Sequence, residues 1–326
     1  MLRSLTAAVV LTGALTLHAA DEIKEINFGI IATEASANLK TDWEPLRADL
    51  EAALGMPVKT FFAPDYSGVI EAMRFNKVQL GWFGNKSAID VVDRANGEVF
   101  AQVIDKDGNP GYWSLIVVHN DSPLKTLEDL IAGGKDLTFS NGDPQSTSGN
   151  LVPGYYAFAK NGVDPTKHFK RCINGNHETN ALAVASKQVD AATFNTEAMF
   201  RLEANHPEKA KMIRPIWKGP LIASDPMCYR KDLPEAVKSK ISTFFLEYGK
   251  TEDQKAKIAA LKWSGFKPSD DNQLLPFRQL GLLKDKAKIE SDAKLSADEK
   301  TSKLAEIETK LADLNARMSK VAAATK

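Results

Sequence analysis

The sequence predicts an α/β protein of two lobes, each a mostly parallel sheet flanked by helices, followed by a helical tail. From residue 26 onward, apolar runs typical of buried strands alternate with segments of helical periodicity. The alternation restarts after a turn-rich segment at 119–123, which indicates a second lobe. From about residue 285 the chain is rich in Lys, Glu, Asp and Ala, which predicts the helical tail.

The composition is that of a globular protein without net charge. Of the 326 residues, 43% are apolar and 26% are charged, which excludes disordered and collagenous chains. Because 42 Lys and Arg balance 42 Asp and Glu, we expect no nucleic-acid partner, and any anion must be held by a local site. Cys172 and Cys228 are too few for a disulfide scaffold and lack the spacing of a zinc site, so no metal or cofactor is predicted.

Residues 1–20 have the form of a secretory signal peptide. Arg3 is their only charge, an apolar run extends from Leu5 to Leu17, and small residues follow. The run is shorter than the roughly 20 residues that a membrane-spanning helix needs. The sequence therefore predicts cleavage and export, in a bacterium to the periplasm. The alternative is a retained anchor or a buried N-terminal helix.

Strand and helix patterns take turns in the first lobe. Strands are predicted at 26–32, 58–63 and 78–83, and helices at 42–54, 66–75 and 88–95. Such βαβ units give parallel strands, whose carboxyl ends are where ligands bind. The loops at 63–68 and 84–87 are therefore the first places to look for a site.

The chain is predicted to leave the first lobe and to return to it. A strand at 113–118 ends the first passage, and the second lobe holds strands at 137–140 and 189–194 with a helix at 149–160. A turn-rich segment at 223–226 then precedes helices at 233–249 and 252–262. The predicted division is a first lobe at 21–118 and 226–284, a second lobe at 119–225 and a helical tail at 285–326.

The tail contains an a/d heptad seam. Its apolar residues follow each other at intervals of 3, 4, 3, 4 and 3: Leu304, Ile307, Leu311, Leu314, Met318 and Val321. Two interpretations remain open for this seam, a helix packed on its own lobe and a helix that forms a homodimer.

Three consecutive hydroxyl residues mark the most informative segment. Ser146, Thr147 and Ser148 follow a strand and a Gly-Asp-Pro turn, at the start of a predicted helix. The first N–H groups of a helix lack internal partners and carry partial positive charge, so hydroxyl donors beside them form an oxyanion site without Lys or Arg. The alternative is that one hydroxyl merely caps the helix.

Other polar residues follow predicted strand ends. His177 lies in a polar loop before a helix, where it could donate a hydrogen bond to the same anion. Glu197 and Asp225 also follow strand ends, where each alone is an ordinary cap or turn residue. The common nucleotide-binding, hydrolase and zinc-protease motifs are absent from the sequence.

At these residues the sequence resembles the periplasmic phosphonate-binding proteins of bacterial phosphonate ABC importers. The similarity runs from about residue 26 to 279 and is carried by the segments 62–68, 73–78, 92–97, 110–114, 141–149, 175–185 and 217–222. The resemblance implies two α/β lobes of the type II periplasmic binding protein fold, a two-strand hinge, no catalysis, and a permease and an ATPase as partners. Phe83 and the two cysteines depart from the family pattern without touching its ligand residues.

The resemblance also implies roles for single residues. Tyr66, Ser146, Thr147, Ser148 and His177 match the positions that hold phosphonate oxygens, and Tyr112 matches an aromatic residue of the cleft. Glu197 and Asp225 match the acidic pair that binds the amine of 2-aminoethylphosphonate.

Three rival functions remain. The first is a binder of phosphite, phosphate esters or another oxyanion on the same fold. The second is a secreted hydrolase with Ser146 or Ser148 as nucleophile, His177 as base, and Glu197 or Asp225 to orient it. The third is an interaction protein that acts through its tail.

Overall fold

The computed structural model describes residues 23–324, so the predicted signal peptide lies outside the described residues. Its strands are β1 Ile26–Ile30, β2 Val58–Phe62, β3 Leu80–Trp82, β4 Gly97–Asp105, β5 Gly111–His119, β6 Thr138–Gly142, β7 Arg171–Gly175, β8 Ala191–Asn195, β9 Ile213–Ala223, β10 Pro226–Arg230 and β11 Trp263–Pro268.

The helices are α1 Ser36–Leu54, α2 Tyr66–Arg74, α3 Asn85–Arg94, α4 Leu127–Gly133, α5 Pro165–His168, α6 His177–Ala185, α7 Thr196–Asn205, α8 Pro207–Ala210, α9 Glu235–Glu247, α10 Glu252–Ala259, α11 Leu275–Ser291 and α12 Ala297–Ala324. Between β6 and α5 lies a further helical segment, the wide helix, which includes the π-helical turns Thr147–Leu151 and Gly154–Phe158. Short 3₁₀ turns lie at Gly134–Asp136, Ala159–Asn161 and Asp271–Leu274.

The strands form two sheets. The first has the order β11-β4-β10-β3-β1-β2 and the second the order β7-β6-β8-β5-β9. The prediction of mostly parallel sheets was wrong, because only β1 with β2 and β3, and β6 with β7 and β8, pair in parallel. A strand that leaves a lobe and one that returns to it run in opposite directions, so β10 pairs antiparallel with β4, and β5 with β9. The two-lobed α/β fold with a helical tail is confirmed.

Two connections join the lobes. The chain crosses from β4 to β5 after Asp105 and returns from β9 to β10 through Ser224 and Asp225. The strand predicted at 113–118 therefore belongs to the second sheet and not to the first lobe. The boundary was misplaced because the apolar sequence of this strand continues the alternation of strands and helices in the first lobe. The crossing between the lobes is only a short polar turn between β4 and β5.

An aromatic cluster fills the core of the first lobe. Trp43 of α1, Trp82 of β3 and Trp263 of β11 lie with ring centroids 5.3 to 5.5 Å apart, and all three are nearly fully buried. Full burial of such side chains stabilises the fold by about 1.5–3 kcal/mol each. β11 joins the first sheet late in the chain, so this core ties the returning segment to the first lobe.

The helical tail packs on its own chain. Ile307, Leu311 and Leu314 of the heptad seam are buried, and α12 packs along α11. α11 in turn contacts α3 of the first lobe and the wide helix of the second. Within residues 23–324, no helix combines the length and the apolar character that crossing a membrane requires.

Candidate functional site

The candidate site is a buried cavity between the two sheets, where the parallel strands of both lobes end. The structure brings together all eight residues that the sequence singled out, each at most 6% exposed: Tyr66, Tyr112, Ser146, Thr147, Ser148, His177, Glu197 and Asp225.

The three hydroxyl residues lie where the wide helix begins after β6. Each hydroxyl oxygen accepts a hydrogen bond from a protein N–H at 2.9 Å, Ser146 from the Gly149 backbone, Thr147 from the Lys86 backbone of the other lobe, and Ser148 from the Asn195 side chain. A hydroxyl whose oxygen accepts from the protein still has its own hydrogen to donate. The segment can therefore present three O–H donors to an anion in the cavity.

His177 stands at the first position of α6 and is neutral. Its Nε2 lies 3.5 and 3.4 Å from the hydroxyl oxygens of Ser146 and Ser148. The Asn195 amide nitrogen lies 3.1 Å from Nε2, and its oxygen accepts from the backbone of α7, so Nε2 accepts and the ring proton is on Nδ1. Burial, followed by the charge of Arg201, lowers the pKa of His177 to about 3.

Tyr66 brings a phenol from the first lobe into the cavity. It follows Asp65, which caps α2 by accepting from the Gly68 N–H at 2.8 Å. Burial raises the pKa of the Tyr66 hydroxyl, so it stays protonated and remains a hydrogen-bond donor. α2, α3, α6, α7 and the wide helix all begin at this cavity, so the partial positive charges of five helix N-termini converge there.

Glu197 and Asp225 form the acidic end of the cavity. Glu197 lies in the first turn of α7, and Asp225 in the connection between β9 and β10. The Tyr112 hydroxyl donates to Asp225 Oδ1 at 2.9 Å. Burial raises the pKa of Glu197 to about 7, and burial together with the charge of Glu197 raises the pKa of Asp225. A cation placed between such carboxylates would let both ionise.

A formal cation also lines the cavity, contrary to the expectation of an anion site without Lys or Arg. Arg201 is 7% exposed and forms an ion pair with Glu34, which follows β1 in the other lobe. The sequence contained a signal for Arg201, since it lies four residues after Glu197 on one helix face. Glu34 and the α7 cap Asn195 had no such signal, because an isolated Glu or a capping Asn is common in any α/β protein.

Some residues that line the cavity have a buried polar side-chain atom without a protein partner. Thr33 Oγ1, Trp82 Nε1 and His177 Nδ1 are buried, and none makes a hydrogen bond to another described residue. Buried polar atoms in folded proteins are nearly always satisfied. A polar ligand in the cavity could satisfy those of the three atoms that face it.

The arrangement does not support a hydrolase. A Ser-His-Asp triad requires an acid that accepts from the second ring nitrogen of the histidine. No described group accepts from His177 Nδ1, and the two serine hydroxyls lie 3.4 Å or more from Nε2.

Within residues 23–324, no group of His, Cys, Asp and Glu side chains could hold a metal ion. Cys172 and Cys228 are free thiols in different sheets.

The chain is similar to known proteins over most of its length. A family model described as "ABC transporter, phosphonate, periplasmic substrate-binding protein" matches residues 28–274. The chain belongs to this family. Phosphonate-binding proteins of this kind are substrate-binding components of ABC transporters in the periplasm, so the chain is a transport component and not an enzyme.

Three relatives of this phosphonate-binding protein illustrate the range of similarity. The "Phosphonates-binding periplasmic protein" of Escherichia coli is 53% identical over 298 residues, which cover 91% of this chain and 88% of that protein. The crystal structure of an ABC phosphonate transporter binding component from Pseudomonas aeruginosa is 54% identical, with a TM-score of 0.90 over 92% of this chain and 99% of that one. The "Phosphate-import protein PhnD" of Mycolicibacterium smegmatis is 29% identical over 79% and 80% of the two chains.

Proposed function

We propose that this protein captures phosphonates, preferentially 2-aminoethylphosphonate, and delivers them to the permease and ATPase of an ABC importer. The phosphonate oxygens are held by the donors Tyr66, Ser146, Thr147, Ser148 and His177. The amine lies at the other end of the cavity, beside Tyr112, Glu197 and Asp225. Neither a cofactor nor a metal takes part.

One observation carries the anion end of this proposal. The hydroxyl oxygens of Ser146, Thr147 and Ser148 each accept from a protein N–H, which leaves three hydroxyl hydrogens as donors. A phosphonate carries a charge of roughly −1.5 to −2 near neutral pH and three acceptor oxygens. Hydrogen bonds to charged groups contribute about 1.5–3 kcal/mol each, so three such donors beside five helix N-termini support tight binding.

The acidic end supports the preference for an amine. Glu197 and Asp225 are buried in one cavity, and each raises the cost of ionising the other. An alkylammonium group between them removes this cost, whereas a methyl group or a phosphate oxygen does not. The charge of Arg201 offsets the pair only in part, because the ion pair of its guanidinium is with Glu34.

Inorganic phosphate, phosphite or a phosphate ester is the alternative ligand. A relative at 29% identity is named a phosphate-import protein, and the same hydroxyl cluster could hold its ligand. The acidic pair favours the aminated ligand, since two carboxylates near a phosphate oxygen would repel it.

The test is calorimetry on the purified protein with 2-aminoethylphosphonate, methylphosphonate, phosphite and phosphate. We expect 2-aminoethylphosphonate to bind at least tenfold more tightly than methylphosphonate, the scale of one charge-assisted hydrogen bond. Equal affinities, or tighter binding of phosphate, would refute the preference. Glu197→Gln and Asp225→Asn should each reduce it.

Two further proposals concern the ends of the chain. Residues 1–20 are removed on export, and the mass of the protein recovered from the periplasm tests this removal.

Association of two copies through α12 stays a prediction. Ile307, Leu311 and Leu314 are already buried, so a dimer would have to use other residues of the helix. Light scattering of the full mature chain measures its oligomeric state.

A further inference from the structure

The ion pair between Glu34 and Arg201 joins the two lobes beside the amine end of the cavity. Glu34 follows β1 in the first lobe, and Arg201 lies on α7 in the second. Their side chains are 3% and 8% exposed. A buried guanidinium needs a compensating anion, because an unpaired buried charge is strongly unfavourable. Glu34 therefore fixes where the guanidinium of Arg201 lies when the cavity is closed.

Arg201 has a second carboxylate within reach on its own helix. Glu197 precedes it by four residues, and residues at this spacing on a helix are neighbours whose side chains form ion pairs. Burial lowers the pKa of Arg201, but the charges of Glu34 and Glu197 outweigh burial and raise it. The guanidinium thus lies in the field of several carboxylates, among them Glu34 of the first lobe and Glu197 of its own helix, and its ion pair is with Glu34.

We propose that Glu34 is a specificity-determining residue, which holds Arg201 away from Glu197 and so keeps the acidic pair available for the amine of the ligand. The proposal rests on the preference for 2-aminoethylphosphonate proposed above. Glu34 acts through Arg201 and is a positioning residue.

Removal of the Glu34 charge redirects Arg201 to Glu197. In Glu34→Gln the buried guanidinium loses its partner, and Glu197 is the nearest carboxylate on the same helix face. The pair formed by Arg201 and Glu197 would occupy the carboxylate that the ligand ammonium needs. It would also leave the cavity less negative, which favours a ligand that carries only the anionic group.

The experiment is calorimetry with 2-aminoethylphosphonate and methylphosphonate. The amine preference is the dissociation constant of methylphosphonate divided by that of 2-aminoethylphosphonate. Glu34→Gln should lower this ratio about tenfold or more, the scale of one charge-assisted hydrogen bond. In the double variant Glu34→Gln with Arg201→Gln, no guanidinium is left to capture Glu197, so the ratio should return to within about threefold of the wild-type value.

Glu178→Gln is the matched control. Glu178 also crosses between the lobes, since its carboxylate accepts from the Ala35 N–H at 2.7 Å and from the Asn38 side chain at 2.9 Å. The control removes the charge of one carboxylate that contacts the other lobe and leaves the ion pair of Arg201 with Glu34 in place. It should weaken both ligands alike and leave the ratio unchanged.

The outcomes separate this inference from the proposed function. A wild-type ratio near one refutes the amine preference, and the inference falls with it. A high wild-type ratio that Glu34→Gln leaves unchanged, or that the double variant fails to restore, overturns the inference alone. If circular dichroism indicates that Glu34→Gln does not fold, Arg201→Gln carries the test: its ratio should equal or exceed that of the wild type, and a loss of amine preference overturns the inference.

Discussion

Replacing Glu197 by Gln should reduce the preference of the protein for 2-aminoethylphosphonate at pH 8. A ligand without an amine must close the cavity over an ionised Glu197, whereas 2-aminoethylphosphonate brings the ammonium that this carboxylate needs. Gln has no charge to bury, so the variant should bind methylphosphonate more tightly than the wild type does. It should bind 2-aminoethylphosphonate less tightly, because one partner of the ammonium is gone.

The pKa of Glu197 sets the magnitude of this effect. Burial raises the pKa from the ordinary 4.5 to about 7 in the closed cavity, which corresponds to about 3 kcal/mol. Below pH 4.5 the carboxyl is protonated in both conformations and closing over it costs nothing. The cost grows between pH 4.5 and about 7 and is complete above that range. The gain for methylphosphonate at pH 8 is therefore at most about 300-fold, and at pH 5 it falls to a few-fold.

Calorimetry of both ligands at pH 5 and pH 8 measures this effect. Glu203→Gln is the matched control, since Glu203 lies on the same helix but is exposed, and it should change neither affinity. If Glu197→Gln weakened methylphosphonate at pH 8, or strengthened it equally at both pH values, the account of the acidic end would be refuted.

Three other predictions follow from the same geometry. Thr147→Ala and His177→Ala should each weaken 2-aminoethylphosphonate and methylphosphonate alike, by about tenfold or more in calorimetry; an effect on the aminated ligand alone would contradict the assignment of the two ends. Asn195→Ala should weaken both ligands and destabilise the protein by about 1 kcal/mol in thermal unfolding, since it removes the cap of α7. Burial raises the pKa of both cysteine thiols, that of Cys172 to about 11. A maleimide should therefore label the partly buried Cys172 slowly in the folded protein, and the fully buried Cys228 only after unfolding.

The cavity residues were predictable from sequence where local pattern decides their position. Ser146, His177 and Glu197 each follow a strand end and begin a helix, and such junctions lie at the same edge of a parallel sheet. The sequence pattern therefore pointed to six of the eight positions, and the resemblance added Tyr66 and Tyr112. The direction of the hinge strands had no local signal, because pairing across the hinge depends on how the returning chain docks.

The charge of the cavity was predicted less well than its position. Net neutrality of the chain and the absence of a nearby basic motif led to an anion site without a cation, but Arg201 lines the cavity. Its partner Glu34 lies far away in sequence and meets it only because the lobes face each other. A pair between lobes is a property of the tertiary structure, and no periodicity or motif in either segment encodes it.

The placement of charge in this cavity suits a protein that must release its ligand. The attraction of a helix N-terminus falls off within its first turn, whereas that of an unpaired lysine or arginine falls only with the inverse of distance. Here the guanidinium of Arg201 is paired with Glu34, and the donors come from Tyr66 in one lobe and Ser146, Thr147 and Ser148 in the other. Separation of the lobes would withdraw Tyr66 and the N-termini of α2 and α3 from the anion, while the three hydroxyl donors stay with the second lobe. We therefore expect the open site to bind the anion more weakly than the closed site.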